Sequence, residues 1–400
     1  MGYSNGVGLI MTPGPTMVRE NVRLARACDE TNPDLDPRFF EFYRETCDKL
    51  ARILRTDNEV RILSGEGILG LEAACASLCE PGDRVLVLEN GIFGEGFADF
   101  VRMYGGEAVF FHGDPRRGLD VEELKQFLAL DSDFKFATLV HCDTPTGVLN
   151  DIAALCPVLR ERGILTVVDS VSSMAGHVIE TDTWRVDILL GGSQKAFSAP
   201  PGLTFLSISD DAFRGMRERK TPIASYYANL ALWEDYDMKK WFPYTMPVSD
   251  IRGLSVAADN ILADNILAEE NIFVRHARMG GAVREAVTRA GLRLYLEKDF
   301  SDTVTVIEAP AGVEVEAVRQ RMLEDYGVMI AGSFGFLADK VFRIAHMGES
   351  ARPQVMRVTL NAFQKALEGC GDVCQGEGVN PGDLVEGFDQ AWERGGAKGL

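Results

Sequence analysis

The chain predicts an α/β fold: a large domain on a mostly parallel seven-stranded sheet, followed by a smaller C-terminal α+β domain. Three observations carry that expectation. Between residues 55 and 210, short β-branched or aliphatic runs alternate with segments of helical period, which is the pattern of βα units. After Pro247, apolar positions Leu254, Ala257, Ala258, Ile261 and Leu262 recur at helical spacing and open a long connecting helix. Beyond that helix, strand-like and helix-like segments alternate again in a shorter layer.

Taken in order, strands are expected at 60–63, 85–89, 108–111, 136–141, 164–169, 187–190 and 204–208, with helices at 68–78, 96–104, 121–130 and 152–163. Turn chemistry agrees: Glu80-Pro81-Gly82-Asp83 precedes one strand, and Arg162-Gly163 closes a helix before another. The connecting helix is expected to run to about residue 278. Strands near 292–296, 303–309, 328–331 and 341–346 and helices at 315–326 and 353–367 would build the second domain. The stretch after Gly369 is glycine-rich until a short helix around 383–392. These segments divide the chain into an N-terminal arm (1–20), a large α/β domain (21–250) and a connecting helix with the small domain (251–400). No internal repeat or low-complexity linker interrupts them.

Composition narrows the function. Four hundred residues, 46% hydrophobic and 25% charged, can bury a large core. No run approaches the roughly 18 uncharged apolar residues of a membrane span. The first residues lack a basic n-region and an apolar h-region, so no secretory signal is expected. Eight scattered cysteines suggest reduced thiols and a cytoplasmic location. Cys75 and Cys79 lie one helical turn apart with no His/Cys partner pair nearby, so they read as core and no metal is expected; Cys370 and Cys374 are weak grounds for one. A formal net charge of −19 repels nucleic acid and anionic membrane surfaces, leaving small molecules as the expected partners.

The most informative residue is Lys195, in Gly191-Gly192-Ser193-Gln194-Lys195-Ala196-Phe197-Ser198-Ala199-Pro200-Pro201-Gly202. An amine among small, weakly polar residues is poorly hydrated, which lowers its pKa and frees it to form a Schiff base. Asp169 follows three aliphatic residues at the end of a strand, where a carboxylate needs a partner to stay charged. The protonated ring nitrogen of pyridoxal 5'-phosphate would be such a partner, and that pairing points to this cofactor.

Ligands of an open parallel sheet collect at the carboxyl ends of its strands. After the first strand, Ser64-Gly65-Glu66-Gly67 leads into a helix N-terminus suited to a phosphate; an ordinary tight turn is the alternative. Phe93, in Asn90-Gly91-Ile92-Phe93-Gly94, is placed to stack on a planar heterocycle or to serve as core. Thr144, in His141-Cys142-Asp143-Thr144-Pro145-Thr146-Gly147, offers a hydroxyl to a phenolate or caps a helix, and His141 reads as a core histidine. Ser170, next to Asp169, and Gln194, next to Lys195, complete the expected cofactor contacts. Arg343 lies inside an otherwise apolar strand and requires an anion, either a substrate carboxylate or a structural ion pair.

From Thr12-Pro13-Gly14-Pro15-Thr16 to Arg343, these residues resemble the fold-type I, class V aminotransferases of the serine–pyruvate and alanine–glyoxylate group. The resemblance implies a homodimer with active sites at the subunit interface. It further implies Lys195 as the Schiff-base lysine, Asp169 as the pyridinium partner, Phe93 as the stacking ring, Thr144 at the phenolic oxygen, and Gly14 and Arg343 at the substrate. Tyr244 and Thr245, in Phe242-Pro243-Tyr244-Thr245-Met246-Pro247, match the segment that reaches the neighbouring subunit's phosphate. The activity implied is ping-pong transfer of an amino group from a small amino acid of alanine or serine type to glyoxylate or pyruvate.

Glu66 departs from that pattern, because a carboxylate beside a phosphate dianion is repulsive unless neutralised or turned away. Pyridoxamine–pyruvate aminotransferase, which uses unphosphorylated pyridoxamine, is similar at Gly65-Glu66, Asp143-Thr144-Pro145 and His346-Met347-Gly348 and is the alternative activity. It carries phenylalanine in place of Tyr244, a bulkier residue in place of Gly67 and a second arginine in place of Phe334. The roomy Gly67 and the Tyr244 donor favour bound phosphate. A cysteine desulfurase or other lyase would need a nucleophilic cysteine within 331–335, where this chain has none, and a binding protein on a degraded fold would be expected to lose Lys195 or Asp169.

Overall fold

The computed structural model describes residues 8–267, 271–370 and 378–397. Its centre is a seven-stranded sheet of β1 (Glu59–Ser64), β2 (Arg84–Glu89), β3 (Glu107–His112), β4 (Phe136–Val140), β5 (Leu165–Asp169), β6 (Ile188–Gly192) and β7 (Leu203–Ile208), ordered β1-β7-β6-β5-β4-β2-β3. Strands β3, β2, β4, β5 and β6 pair in parallel, and β7 runs antiparallel to both β6 and β1. Strands β4 and β6 are buried along their whole length, as their runs without a charged residue require in a sheet covered on both faces.

The crossovers carry α2 (Gly67–Leu78), α3 (Ile92–Met103), α4 (Val121–Leu130) and α5 (Ile152–Arg160). Asp120 and Asp151 cap α4 and α5, their side chains accepting backbone N–H groups of the first turn. Helix α3 begins four residues before the expected position, so Phe93 sits in its first turn and not in a loop. Ahead of the sheet, α1 (Pro37–Leu54) was not anticipated from sequence, although Asp36 caps it, Pro37 opens it, and Phe40, Tyr43, Cys47, Leu50 and Leu54 line its buried face.

The connecting segment differs from the single helix expected. Helix α6 (Val248–Leu267) is followed by a separate α7 (Ile272–Arg289), whose N-cap Asn271 accepts from the Val274 amide. A side chain that caps a new helix at residue 271 marks a fresh start that hydrophobic spacing does not register. Strands β8 (Val304–Glu308) and β9 (Val341–Ala345) pair antiparallel, and the expected strand at 292–296 is reduced to a bridge between Leu294 and Ile307. Around them, α7, α8 (Val315–Tyr326), α9 (Pro353–Glu368) and α10 (Asp383–Ala397) enclose a second core that includes Val283, Met322, Phe342, Phe363 and Phe388. Met11 belongs to this core, since Leu9–Ile10 pairs in parallel with Val328–Met329. The chain thereby returns its first described residues to its last third. Cys75 and Cys79 are buried free thiols, and Cys374 lies outside the described residues. Among the described residues no helix is long and apolar enough to cross a membrane.

The free edge of β1 is closed by a side chain. The Tyr43 hydroxyl donates to the Ile62 carbonyl at 2.9 Å and accepts from the Ile62 amide at 2.7 Å, satisfying both outward-facing groups of a buried edge residue. Tyr43→Phe leaves both groups unpaired and is expected to destabilise the chain by about 1–3 kcal/mol. The shift should register as a lower urea midpoint at unchanged slope.

Candidate active site

A cavity of about 390 Å³ lies beyond the carboxyl ends of β1, β5 and β6, within the roughly 300–1,000 Å³ typical of small-molecule sites. Its wall includes Glu66, Gly67, Phe93, Asp169, Gln194 and Lys195. They come from the ends of four strands, β1, β2, β5 and β6, brought together because these strands deliver their following segments to one edge of the sheet.

Lys195 sits on the turn between β6 and the reversed strand β7. Ser193 Oγ donates to the Pro200 carbonyl at 2.7 Å, and the Ser198 amide to the Lys195 carbonyl at 2.9 Å, which closes this turn on itself. The N-terminal segment crosses over it: Thr16 Oγ1 donates to the Lys195 carbonyl at 2.8 Å, and Lys195 Nζ donates to the Pro13 carbonyl. Gly14 is required by this contact, since its φ is +101° and a Cβ would lie 2.4 Å from Lys195 Cδ. Burial pushes the amine down to about 8, opposed by the negative charge of Asp169 and reinforced by Arg343.

Asp169 is buried, and desolvation raises its carboxyl to about 7 against the stabilising Val171 amide and the charge of Lys195. The Val171 amide, 2.8 Å from Oδ1, is its only hydrogen-bond donor among the described residues. Gln194 Nε2 donates to Glu66 Oε2 at 3.4 Å, while Gln194 Oε1 is buried without a partner among the described residues. Phe93 meets Phe334 edge-on, with ring centroids 5.9 Å apart, and the Arg343 guanidinium lies 5.6 Å from the Phe334 centroid. Arg343 donates from Nε to the Gly332 carbonyl and forms no ion pair among the described residues. Burial pulls it down to about 10, partly offset by the charge of Asp143.

Arg343 and the remaining expected residues, Ser64, Gly65, Thr144, Ser170, Tyr244 and Thr245, stand outside the cavity wall. Ser64 ends β1, and the Gly65 amide donates to the Gly202 carbonyl at 2.8 Å. Thr144 is buried in the turn between Cys142–Asp143 and Val148–Leu149. Ser170 is turned toward Ser173 Oγ, 2.7 Å away, and His141 Nδ1, 3.3 Å away; His141 is a buried core residue held neutral down to about 3. Tyr244 stacks on Tyr227 at 4.4 Å with its hydroxyl buried and without an acceptor for its proton among the described residues, and Thr245 is exposed, donating to Asp34 at 3.4 Å.

Pro15, Ile68, Cys142 and Ser172 line the cavity without having been assigned a role from sequence. Cys142 was visible beside Asp143-Thr144, but nothing in local spacing says which side chain of a strand-end turn faces inward. Burial pushes its thiol up to about 12, so it carries no thiolate character.

The residue set fits pyridoxal phosphate: a half-buried amine of lowered pKa, a carboxylate short of donors, an aromatic ring and an under-satisfied amide surround one cavity. Of the two carboxylates on the wall, Asp169 suits the ring nitrogen, and Glu66, in the turn expected to hold the phosphate, opposes a dianion there.

A model of the aminotransferase class-V family matches residues 25–332. The chain is 33% identical to pyridoxamine–pyruvate transaminase of Mesorhizobium japonicum over 84% of its length and 86% of that protein. It is 29% identical to alanine–glyoxylate aminotransferase of Drosophila melanogaster, over 90% of this chain and 92% of the other. Among solved structures, ureidoglycine–glyoxylate aminotransferase from Bacillus subtilis superposes with a TM-score of 0.90 at 27% identity, covering 98% of this chain and 99% of that one. With that match across most of the sheet and the cavity at its edge, the chain belongs to the class-V aminotransferases, fold-type I transaminases that depend on pyridoxal phosphate.

Proposed function

We propose that this transaminase moves the amino group of a small amino acid of alanine or serine type to glyoxylate or pyruvate, by a ping-pong mechanism, as a cytoplasmic homodimer. The observation that carries the reading is a single cavity holding a neutralisable amine at Lys195 and a donor-poor carboxylate at Asp169, with the Arg343 guanidinium, which forms no ion pair among the described residues, 5.6 Å from the Phe334 ring centre. Two of the related proteins carry glyoxylate in their names, which supports that acceptor.

When bound, pyridoxal phosphate supplies a ring that accepts the electron pair left by a departing α-proton. In this reading Lys195 holds the cofactor through its amine and, once displaced by substrate, takes the α-proton and returns it. Asp169 holds a proton on the ring nitrogen, and Phe93 covers one face of the ring. Thr144 would serve the phenolic oxygen, while Gln194 and the turn of Ser64, Gly65, Glu66 and Gly67 would hold the phosphate; the Ser170 hydroxyl, engaged with Ser173, is left out of that set. Tyr244 and Thr245 reach the phosphate of a second copy; the unused Tyr244 proton and the exposed rings of Tyr226, Tyr227 and Trp241 beside that segment support this assembly. Arg343, with Gly14, binds the substrate carboxylate.

A second reading, pyridoxamine–pyruvate transfer on an unphosphorylated ligand, is favoured by Glu66, whose carboxylate lines the cavity and engages Gln194. The two part on the bound chromophore. Denaturing the purified protein should release pyridoxal phosphate, identified by mass, whereas a colourless protein that gains its band only with free pyridoxal would select the second reading.

Lys195→Ala is expected to lose turnover and the visible absorbance band together, and retention of either refutes its role. The amine reacts only when neutral. Attachment of pyridoxal phosphate to the cofactor-free protein should therefore quicken roughly tenfold per pH unit below about 8 and level off above it, followed by stopped-flow absorbance. Arg343→Ala should raise KM for both the amino and the keto acid by on the order of tenfold or more, with a smaller change in kcat. An unchanged KM points to another clamp.

A further inference from the structure

Asp143 is a buried carboxylate beside the cavity that none of the roles above uses. Its Oδ2 accepts from the Phe93 amide at 2.8 Å, and the Gly94 amide also stabilises its charge. Its Oδ1 faces Thr146, whose amide and hydroxyl approach at 3.4 and 3.3 Å. Phe93 and Gly94 are the second and third residues of α3, and their amides have no partner in the helix itself. The N-cap residue, Gly91, has no side chain to serve them. A Cβ at Gly91 would lie 2.4 Å from Asp143 Cγ, because the carboxylate occupies the space a local capping side chain would fill. The cap of α3 is thus supplied from fifty positions along the chain, by a residue adjacent to Thr144 and close enough for its charge to act on Arg343.

We propose that Asp143 is a positioning residue: by capping α3 in place of Gly91 it fixes the first turn of that helix and so holds the Phe93 ring against the cofactor. The proposal rests on the reading of Phe93 as the cofactor's stacking ring. A carboxylate at a helix N-terminus is favoured both by the free N–H groups and by the positive end of the helix dipole. Backbone held at Phe93 leaves its ring only side-chain rotations, and these are restricted by the edge-on contact with Phe334.

The test is the dissociation constant of pyridoxal phosphate for the full-length, cofactor-free protein, read by quenching of intrinsic fluorescence, together with the visible circular dichroism of the bound cofactor. Phe93→Ala should weaken binding, and Asp143→Ala should weaken it by about fivefold to tenfold and reduce the dichroic band. Asp143→Asn keeps an acceptor for the Phe93 amide and should stay within about twofold of the native protein. Gly91→Ser combined with Asp143→Ala supplies a local cap in the extended conformation residue 91 already has, and should restore both readouts. Native affinity in Asp143→Ala alongside weakened Phe93→Ala overturns the proposal, as does failure of the double variant to recover. Native affinity in Phe93→Ala instead removes the stacking contact itself, and the proposal falls with that reading. If Asp143→Ala does not fold, Gly91→Ala carries the test, since its methyl group displaces the carboxylate; native affinity there overturns the proposal.

Discussion

A lysine amine taken out of water loses hydration that protein groups must replace, and at Lys195 the replacements are the Pro13 carbonyl and the charge of Asp169. The exchange is incomplete, so the proton is held loosely and the amine titrates near 8. The same burial leaves Asp169 near 7. Each group is tolerable in the cavity because the other is there. The arm carrying Pro13 and Gly14, the closed turn of residues 193–202 and the first turn of α2 all converge on that pair.

Topology makes the convergence possible. Five adjacent parallel strands send their crossovers to one edge, and the antiparallel β7 turns the chain back from residue 203, eight positions after Lys195. A parallel continuation would need a crossover of a dozen or more residues across the sheet face, and the lysine would then begin that excursion instead of riding a ten-residue return closed by its own hydrogen bonds. The arm is anchored at its other end by pairing of Leu9–Ile10 with Val328–Met329 and by Met11 in the second core. The position of Gly14 against Lys195 therefore depends on packing more than three hundred residues away in sequence.

Much of this was legible beforehand. All seven strands of the central sheet lie within two residues of their expected bounds, since a buried parallel strand declares itself by an unbroken aliphatic run. Glu66, Gly67, Phe93, Asp169, Gln194 and Lys195 were expected at the strand ends and meet in one cavity. The failures have specific causes. Helix α1 was passed over despite a proline and an aspartate at its start; the split between α6 and α7 turns on one capping asparagine; and the 292–296 segment found only a single bridge as partner. Helix α3 began earlier than expected because its cap comes from Asp143, which no local window contains.

By itself, the sequence determined the order of strands and helices, the small-residue setting of Lys195 and the aliphatic run that ends at Asp169, because these follow from periodicity and local chemistry. Only the tertiary structure decided which strand-end residues share a cavity, that Cys142 faces it while Ser170 turns toward Ser173, and that Arg343 has no ion pair among the described residues. The reason is physical: burial, pKa and hydrogen-bond satisfaction depend on groups far apart along the chain, and no local pattern records the distance between them.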